Sequence, residues 1–343
     1  MPKLIGENID ILTNVQYRPG EGALSRDEGL KFYRAAREKQ GAPLSYLAAK
    51  KLIEKISPND VILIITGARC EPQIPYGETD GHIGAAALAR AAWLGLHAKC
   101  VISVEESNIP PMDATLRAAG CVVRDSSDLL SVDAACCIDA YPLGPEAGKA
   151  HAEYLIEKYH PAAIFFIEKH GPNAVGEFHS VLGTRIDKEG MANTQYLLPI
   201  AKEQGILTIG TGDGGNEIGN GVIYDFVHND ENIRYGSDCG CGCGGGIATV
   251  AATDVFVAAA ISNWGVYSVI AMLAYMKKNV DILHTPDIEK RMIDADAYYG
   301  SVEGLSLRPV PGVDGTSVKA GMAYVRLLRE IVSKGLLDVY REN

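Results

Sequence analysis

Residues 209–221, IGTGDGGNEIGNG, place six glycines and two carboxylates, Asp213 and Glu217, directly behind the apolar stretch Gly205–Ile209. Glycine admits positive φ and close backbone approach, while paired carboxylates bind a cation or an ammonium group. No Gly-Lys-Ser/Thr follows, and the spacing fits the dinucleotide fingerprint poorly, so a nucleotide is not expected here. Three further polar segments stand behind apolar runs. The first, residues 67–84, contains Arg69, Glu78, Asp80 and Gly81, with Thr79 or Asp80 also suited to cap a helix starting near His82. The second, residues 168–183, carries Glu168, Lys169, His170, Glu177 and His179, with Arg185 just beyond. In the third, residues 262–267, Ser262 and Asn263 suit a helix cap, and with Trp264 they also suit the wall of a small polar site.

The runs that precede these segments are Val61–Thr66, Lys99–Val104, Ala162–Ile167, Ile206–Gly210 and Val255–Ile261. They lack polar alternation, as strands buried on both faces do. Helical patterns over roughly 82–94, 110–119, 145–159, 191–204 and 264–278 separate them. The alternation predicts an α/β fold: a doubly wound, mostly parallel, Rossmann-like sheet with helices on both faces in three layers. Ligands bind such sheets outside the carboxyl ends of the strands, where all four segments converge.

Residues 24–56 read as two helices around Gly41-Ala42-Pro43, and Ser317–Lys334 as a closing helix with Gly335 past its end. An N-terminal helical cover over 1–57 and a catalytic α/β domain over 58–343, with a lobe boundary near 150, are therefore expected.

The 343 residues, 47% hydrophobic and 22% charged, form an ordinary globular composition. A net charge of −11 without a basic patch argues against nucleic acid as partner. The most apolar stretch, Thr253–Ile261, is too short to span a membrane. The N-terminal residues lack a signal or transit pattern, and a cytoplasmic protein is expected. The sequence leaves a homo-oligomer open.

Of eight cysteines, Cys70, Cys100, Cys121, Cys136 and Cys137 are scattered and read as free thiols. Cys239, Cys241 and Cys243 are separated by single glycines, unlike the two- to four-residue spacing of common zinc and iron–sulfur sites. With no fourth ligand evident, an essential metal cluster on them is not expected.

The segments PYGETDGHIGAAALARA, EKHGPNAVGEFHSVLGTRID, GDGGNEIGNG, AAAISNWGVY and VDGTS resemble, in this order, the D-glutamate cyclase family, over roughly residues 60–330. The cysteine-glycine run is richer in cysteine than the family pattern, and Glu303-Gly304 stands where another Asp-Gly would be expected. The resemblance implies a hydro-lyase that interconverts D-glutamate and 5-oxo-D-proline plus water, without ATP. The same residues also suit a non-catalytic amino-acid sensor, or a cyclase acting on a related amino acid or lactam.

Lactam formation needs a base for the ammonium, an acid or cation for the γ-carboxylate, and a clamp for the α-carboxylate. On chemistry alone, Asp213 and Glu217 are candidate bases or ligands of a divalent metal, magnesium or manganese. His179 is a candidate acid, and Lys169, Arg69 and Arg185 are candidate clamps. Glu78, Asp80, Gly81, His170, Gly212, Gly214, Gly215, Asn216, Ser262, Asn263 and Trp264 complete the expected substrate surface.

Overall fold

The apolar runs become the core of one parallel sheet. The computed structural model describes residues 1–16 and 28–339. Among the described residues three helices, α1 (Pro2–Thr13), α2 (Glu28–Gln40) and α3 (Leu44–Lys55), precede the first strand, β1 (Val61–Ile65). Then follow α4 (Thr79–Leu96), β2 (Lys99–Glu105), α5 (Ile109–Ala119), β3 (Val122–Val123), β4 (Ala135–Tyr141), α6 (Pro145–Tyr159) and β5 (Ala163–Ile167). A short antiparallel pair, β6 (Phe178–His179) and β7 (Arg185–Ile186), leads to α7 (Leu197–Gln204) and β8 (Leu207–Gly212). The last elements are α8 (Tyr224–Asn229), β9 (Val255–Ala258), α9 (Ser262–Met276), α10 (Pro286–Tyr298) and α11 (Val318–Val339).

The main sheet has seven strands in the order β3-β4-β2-β1-β5-β8-β9, and every neighbouring pair is parallel. Alternation within a strand divides the core between the faces. Ile62 and Ile64 of β1 and Phe165 of β5 face a large cluster with α3, α4, α9 and α11, while Leu63, Ile65 and Phe166 face a smaller one with α6 and α7. The result is the expected three-layer, doubly wound α/β architecture. After β1 the chain adds strands on one side of the sheet, and after β4 it crosses to β5 on the other side. The direction therefore reverses between β1 and β5, which opens a crevice at their carboxyl ends.

Several expectations change. β4 and α10 lack a recognisable run: polar Asp139 interrupts the first, and charges fill the second. In β4 that acid is satisfied, accepting from the Tyr159 hydroxyl at 2.7 Å and facing His151 Nε2 at 3.2 Å. The 191–204 pattern becomes a helix only at Leu197. Gly335 does not end α11 but lies inside it, where a Cβ would meet Ile5 Cδ1 at 2.8 Å and Tyr275 Cε2 at 3.0 Å. Close packing, rather than capping, explains that glycine. Residues 24–27, the start of the predicted N-terminal helices, lie outside the described residues. No helix among the described residues is long and apolar enough to cross a membrane.

Candidate active site

Carboxylates gather at the crevice. Carboxyl oxygens of Asp80, Asp213 and Asp314 lie within 4.8 Å of one another, as do those of Glu168, Asp213 and Glu217, so Asp213 joins two acidic groups. The acids arrive by four routes: Asp80 where α4 begins, Glu168 directly behind β5, Asp213 and Glu217 behind β8, and Asp314 ahead of α11. Glu78, before α4, feels the charges of Asp314, Asp80 and Asp213. Gly304 makes room for this meeting, because a Cβ there would sit 2.2 Å from Asp314 Oδ1 and 3.1 Å from Glu78 Oε2.

Two helix N-termini fix the acids by capping each other. Asp80 accepts the N–H groups of Ser262 at 2.9 Å and Asn263 at 2.7 Å, which open α9. In return, Asn263 Oδ1 accepts the N–H groups of Gly81 at 2.9 Å and Gly84 at 2.7 Å in α4. Asp80 and Gly81 leave helical geometry, Gly81 with φ +97°, so the regular part of α4 starts at His82. The capping residues are those expected from sequence, but each serves the other's helix. The Ser262 hydroxyl donates to Glu168. Glu168 itself has φ +48°, a strained conformation for a residue with a side chain, placed where β5 meets the crevice.

The glycines of residues 209–221 admit the chain to itself. A Cβ on Gly210 would meet Ile218 O at 2.5 Å, and one on Gly221 would meet Ala251 C and Ala252 N at 2.5 Å. At Gly212 it would fall 2.8 Å from Glu217 Oε2, and at Gly214 2.8 Å from Glu217 Oε1. The Gly214 N–H donates to both Glu217 oxygens at 3.1 and 3.2 Å, and Asn220 Nδ2 donates to Oε2 at 2.8 Å. The close approach that the sequence announces is thus to a protein carboxylate. Gly215, with φ +89°, faces Val227, and Asn216 Nδ2 donates to the His179 carbonyl at 2.8 Å.

Burial and mutual repulsion favour protonated acids here. Burial, then the charge of neighbouring Asp213, raises Glu217 to about 8. Burial also lifts Glu78, Asp80 and Glu168 well above the usual carboxylate range, reinforced by Asp314 for Glu78 and Asp80 and by Glu217 and Asp213 for Glu168. His170 moves the other way, down to about 4, through burial and then the Lys169 charge. Its backbone bridges to that of Glu217.

The candidate clamps are engaged elsewhere. Lys169 is buried, donating to Glu105 Oε1 at 2.5 Å and the Gly67 carbonyl at 2.6 Å, which ties the carboxyl ends of β1, β2 and β5 together. Arg69 donates to the Gly190 carbonyl and to Glu71, and exposed Arg185 pairs with Glu177 at 2.7 Å. Trp264 stacks on Tyr324 with ring centroids 4.1 Å apart, inside the α9–α11 packing. His179 faces sulfur: its Nε2 is 3.3 Å from Cys241 Sγ. The fourth donor that the cysteines lacked in sequence is therefore present in space, since His179, Cys239, Cys241 and Cys243 offer ligand atoms within 4.8 Å of one another. The eight cysteines are free thiols.

Glu168 and Asp314 were not singled out among the site residues from sequence. Glu168 had a signal, standing first behind a buried strand, and Asp314 lies within the VDGTS segment. Together the acids form a site able to exchange protons near neutrality or to hold a hard divalent cation.

A search of curated proteins finds no match. The family model described as D-glutamate cyclase-like, C-terminal, matches residues 26–329, almost the whole chain and every acid of the crevice. The chain belongs to the D-glutamate cyclase-like family.

Proposed function

We propose that this chain is a hydro-lyase that interconverts D-glutamate and 5-oxo-D-proline plus water without ATP. The observation that carries the reading is the acidic crevice centred on Asp213, assembled at the sheet's reversal point in a chain of this family. In ring closure the amine nitrogen bonds to the γ-carboxyl carbon and a C–O bond breaks. Two of the three ammonium protons depart with the oxygen as water. Such chemistry needs one group to accept a proton and another to deliver one. Glu217, raised to about 8, suits acceptance, and Glu168, whose carboxyl burial pushes toward the protonated form, suits delivery.

The substrate is itself an anion, and Lys169, Arg69 and Arg185 are committed to protein partners. An oxygen-only donor set of Asp80, Asp213 and Asp314 fits magnesium or manganese. Bound there, the ion would supply the positive charge that makes a γ-carboxylate electrophilic. Cytoplasmic residence and a small-molecule partner accompany this reading.

Asp213→Asn tests it, because the substitution keeps size and hydrogen bonding while removing charge. Turnover of D-glutamate should fall roughly 10²-fold or more with the thermal midpoint little changed. Turnover close to that of the unaltered chain would remove Asp213 from the reaction.

A further inference from the structure

We infer that His179, Cys239, Cys241 and Cys243 form a tetrahedral zinc site that fastens the β6–β7 hairpin to the cysteine loop beside the acidic crevice. This site is separate from the carboxylates and independent of the reaction assigned to them.

The donor geometry carries the inference. Cys239 Sγ lies 3.0 Å from Cys241 Sγ and 3.5 Å from Cys243 Sγ, while His179 Nε2 lies 3.3 Å from Cys241 Sγ and 3.7 Å from Cys243 Sγ. A tetrahedral ion with Zn–S of about 2.3 Å and Zn–N of about 2.0–2.1 Å requires edges of about 3.8 Å between sulfurs and about 3.6 Å between sulfur and nitrogen. Four of the six edges thus run from 3.0 to 3.7 Å, with the Cys239–Cys241 edge the most compressed, and all four donors lie within 4.8 Å of one another, so side-chain rotations would open the centre to an ion.

The sequence spacing, unusual for zinc, is reconciled by the glycines. In an extended strand, side chains two residues apart are separated by roughly 6–7 Å, too far to share one ion. Gly240, Gly242 and Gly244 instead take φ of +73°, +82° and +76°, coiling the loop so that three alternate thiols converge. A Cβ at any of them would meet nothing within 4 Å, so backbone conformation and not space demands glycine there.

The surroundings hold the donors in place. Cys243 Sγ receives the Asn173 Nδ2–H at 3.5 Å and the Gly245 N–H at 3.4 Å, the kind of outer support that thiolate ligands receive. Asn173 Nδ2 also donates to the Gly246 carbonyl at 2.8 Å, and Ile247 N–H to the Tyr235 carbonyl at 2.9 Å, closing the base of the loop. On the histidine side, the Gly183 turn sits so close that a Cβ would be 2.9 Å from the Cys239 carbonyl. The His179 carbonyl accepts from Asn216, next to Glu217, so fixing His179 also steadies the loop that carries the crevice acids.

The test uses the full chain purified under reducing conditions. Elemental analysis should find one zinc per chain, and cobalt added to the metal-stripped chain should give thiolate-to-cobalt charge-transfer absorption, which a carboxylate site cannot produce. Cys241→Ser, altering an exposed residue, should weaken that absorption by removing one of the three thiolates, and Asp213→Asn should retain it in full. Stripping the metal should also speed proteolytic cleavage within residues 236–248, and zinc should restore protection. Should the Cys241→Ser chain not fold, thiol titration of the unaltered chain decides: three thiols shielded by zinc and released by a chelator support the site. Three thiols that react equally with and without zinc, a cobalt spectrum lacking thiolate character, stoichiometric iron in place of zinc, or a Cys239–Cys241 disulfide as the resting state would each overturn it.

Discussion

Glu217 holds its carboxyl in a cradle made from its own loop: the Gly214 N–H and the Asn220 amide stabilise the charge that burial and Asp213 oppose. Opposition wins, and the group titrates at about 8. A group so placed can change protonation during a reaction at neutral pH, which an ordinary surface glutamate cannot. Glu217→Gln should therefore lower turnover by about 10²-fold or more and remove the limb of the pH–rate profile near 8. A profile that keeps this limb in the variant would assign it to another group. At this scale the sequence was legible in part. Asp213, Glu217, Glu78 and Asp80 stood out as acids among glycines behind predicted strands, and all four reach the crevice. Composition reports the sign of a charge but not its direction, which is why Lys169, adjacent to Glu168, turns instead toward Glu105 and the end of β2. Asp314 was hidden for another reason: it stands more than a hundred positions from Asp213 and more than two hundred from Asp80, the acids it joins, and only the fold brings them together.

The elements that meet in the crevice are coupled through their ends. Asp80 caps α9 and Asn263 caps α4, so neither helix can shift without releasing the other and displacing an acid. Asn263→Ala removes the acceptor of two buried N–H groups, and a loss of about 2 kcal/mol or more in unfolding free energy is expected. Denaturant unfolding checks it, and a loss under about 0.5 kcal/mol would mean that water replaces the amide without cost. Gly221→Ala makes a second test at this scale, since its Cβ would strike the backbone at Ala251 and Ala252, which cannot rotate aside. A destabilisation on the order of 1–3 kcal/mol is expected from such overpacking, and an unchanged denaturation midpoint would contradict the packing described. Strands β1, β2, β5, β8 and β9 could be read within a few residues because both faces are buried and each is continuously apolar. β4 and α10 could not, because polar groups within them are satisfied by tertiary partners invisible to local pattern, such as Tyr159 for Asp139.

For the molecule as a whole, the crevice concentrates carboxyl groups inside a chain that already carries a net charge of −11. Carboxyl groups raised in the folded state favour the proton-bound form, so their stabilisation is complete below the ordinary value of 4.5 and is lost as pH rises through about 8. Chelator-treated protein should accordingly lose stability between about pH 5 and 8, and magnesium or manganese should recover it by binding only the folded crevice. A flat profile, unaffected by either ion, would argue against protonated acids in the crevice. The most direct test of the whole account is the composition reached when the chain is incubated, with divalent cation and without nucleotide, from D-glutamate in one vessel and from 5-oxo-D-proline in another. Mass spectrometry with chiral separation should show both vessels converging on one ratio of the two compounds, with L-glutamate untouched. Binding of D-glutamate without conversion in either direction, or conversion only when ATP is supplied, would contradict it.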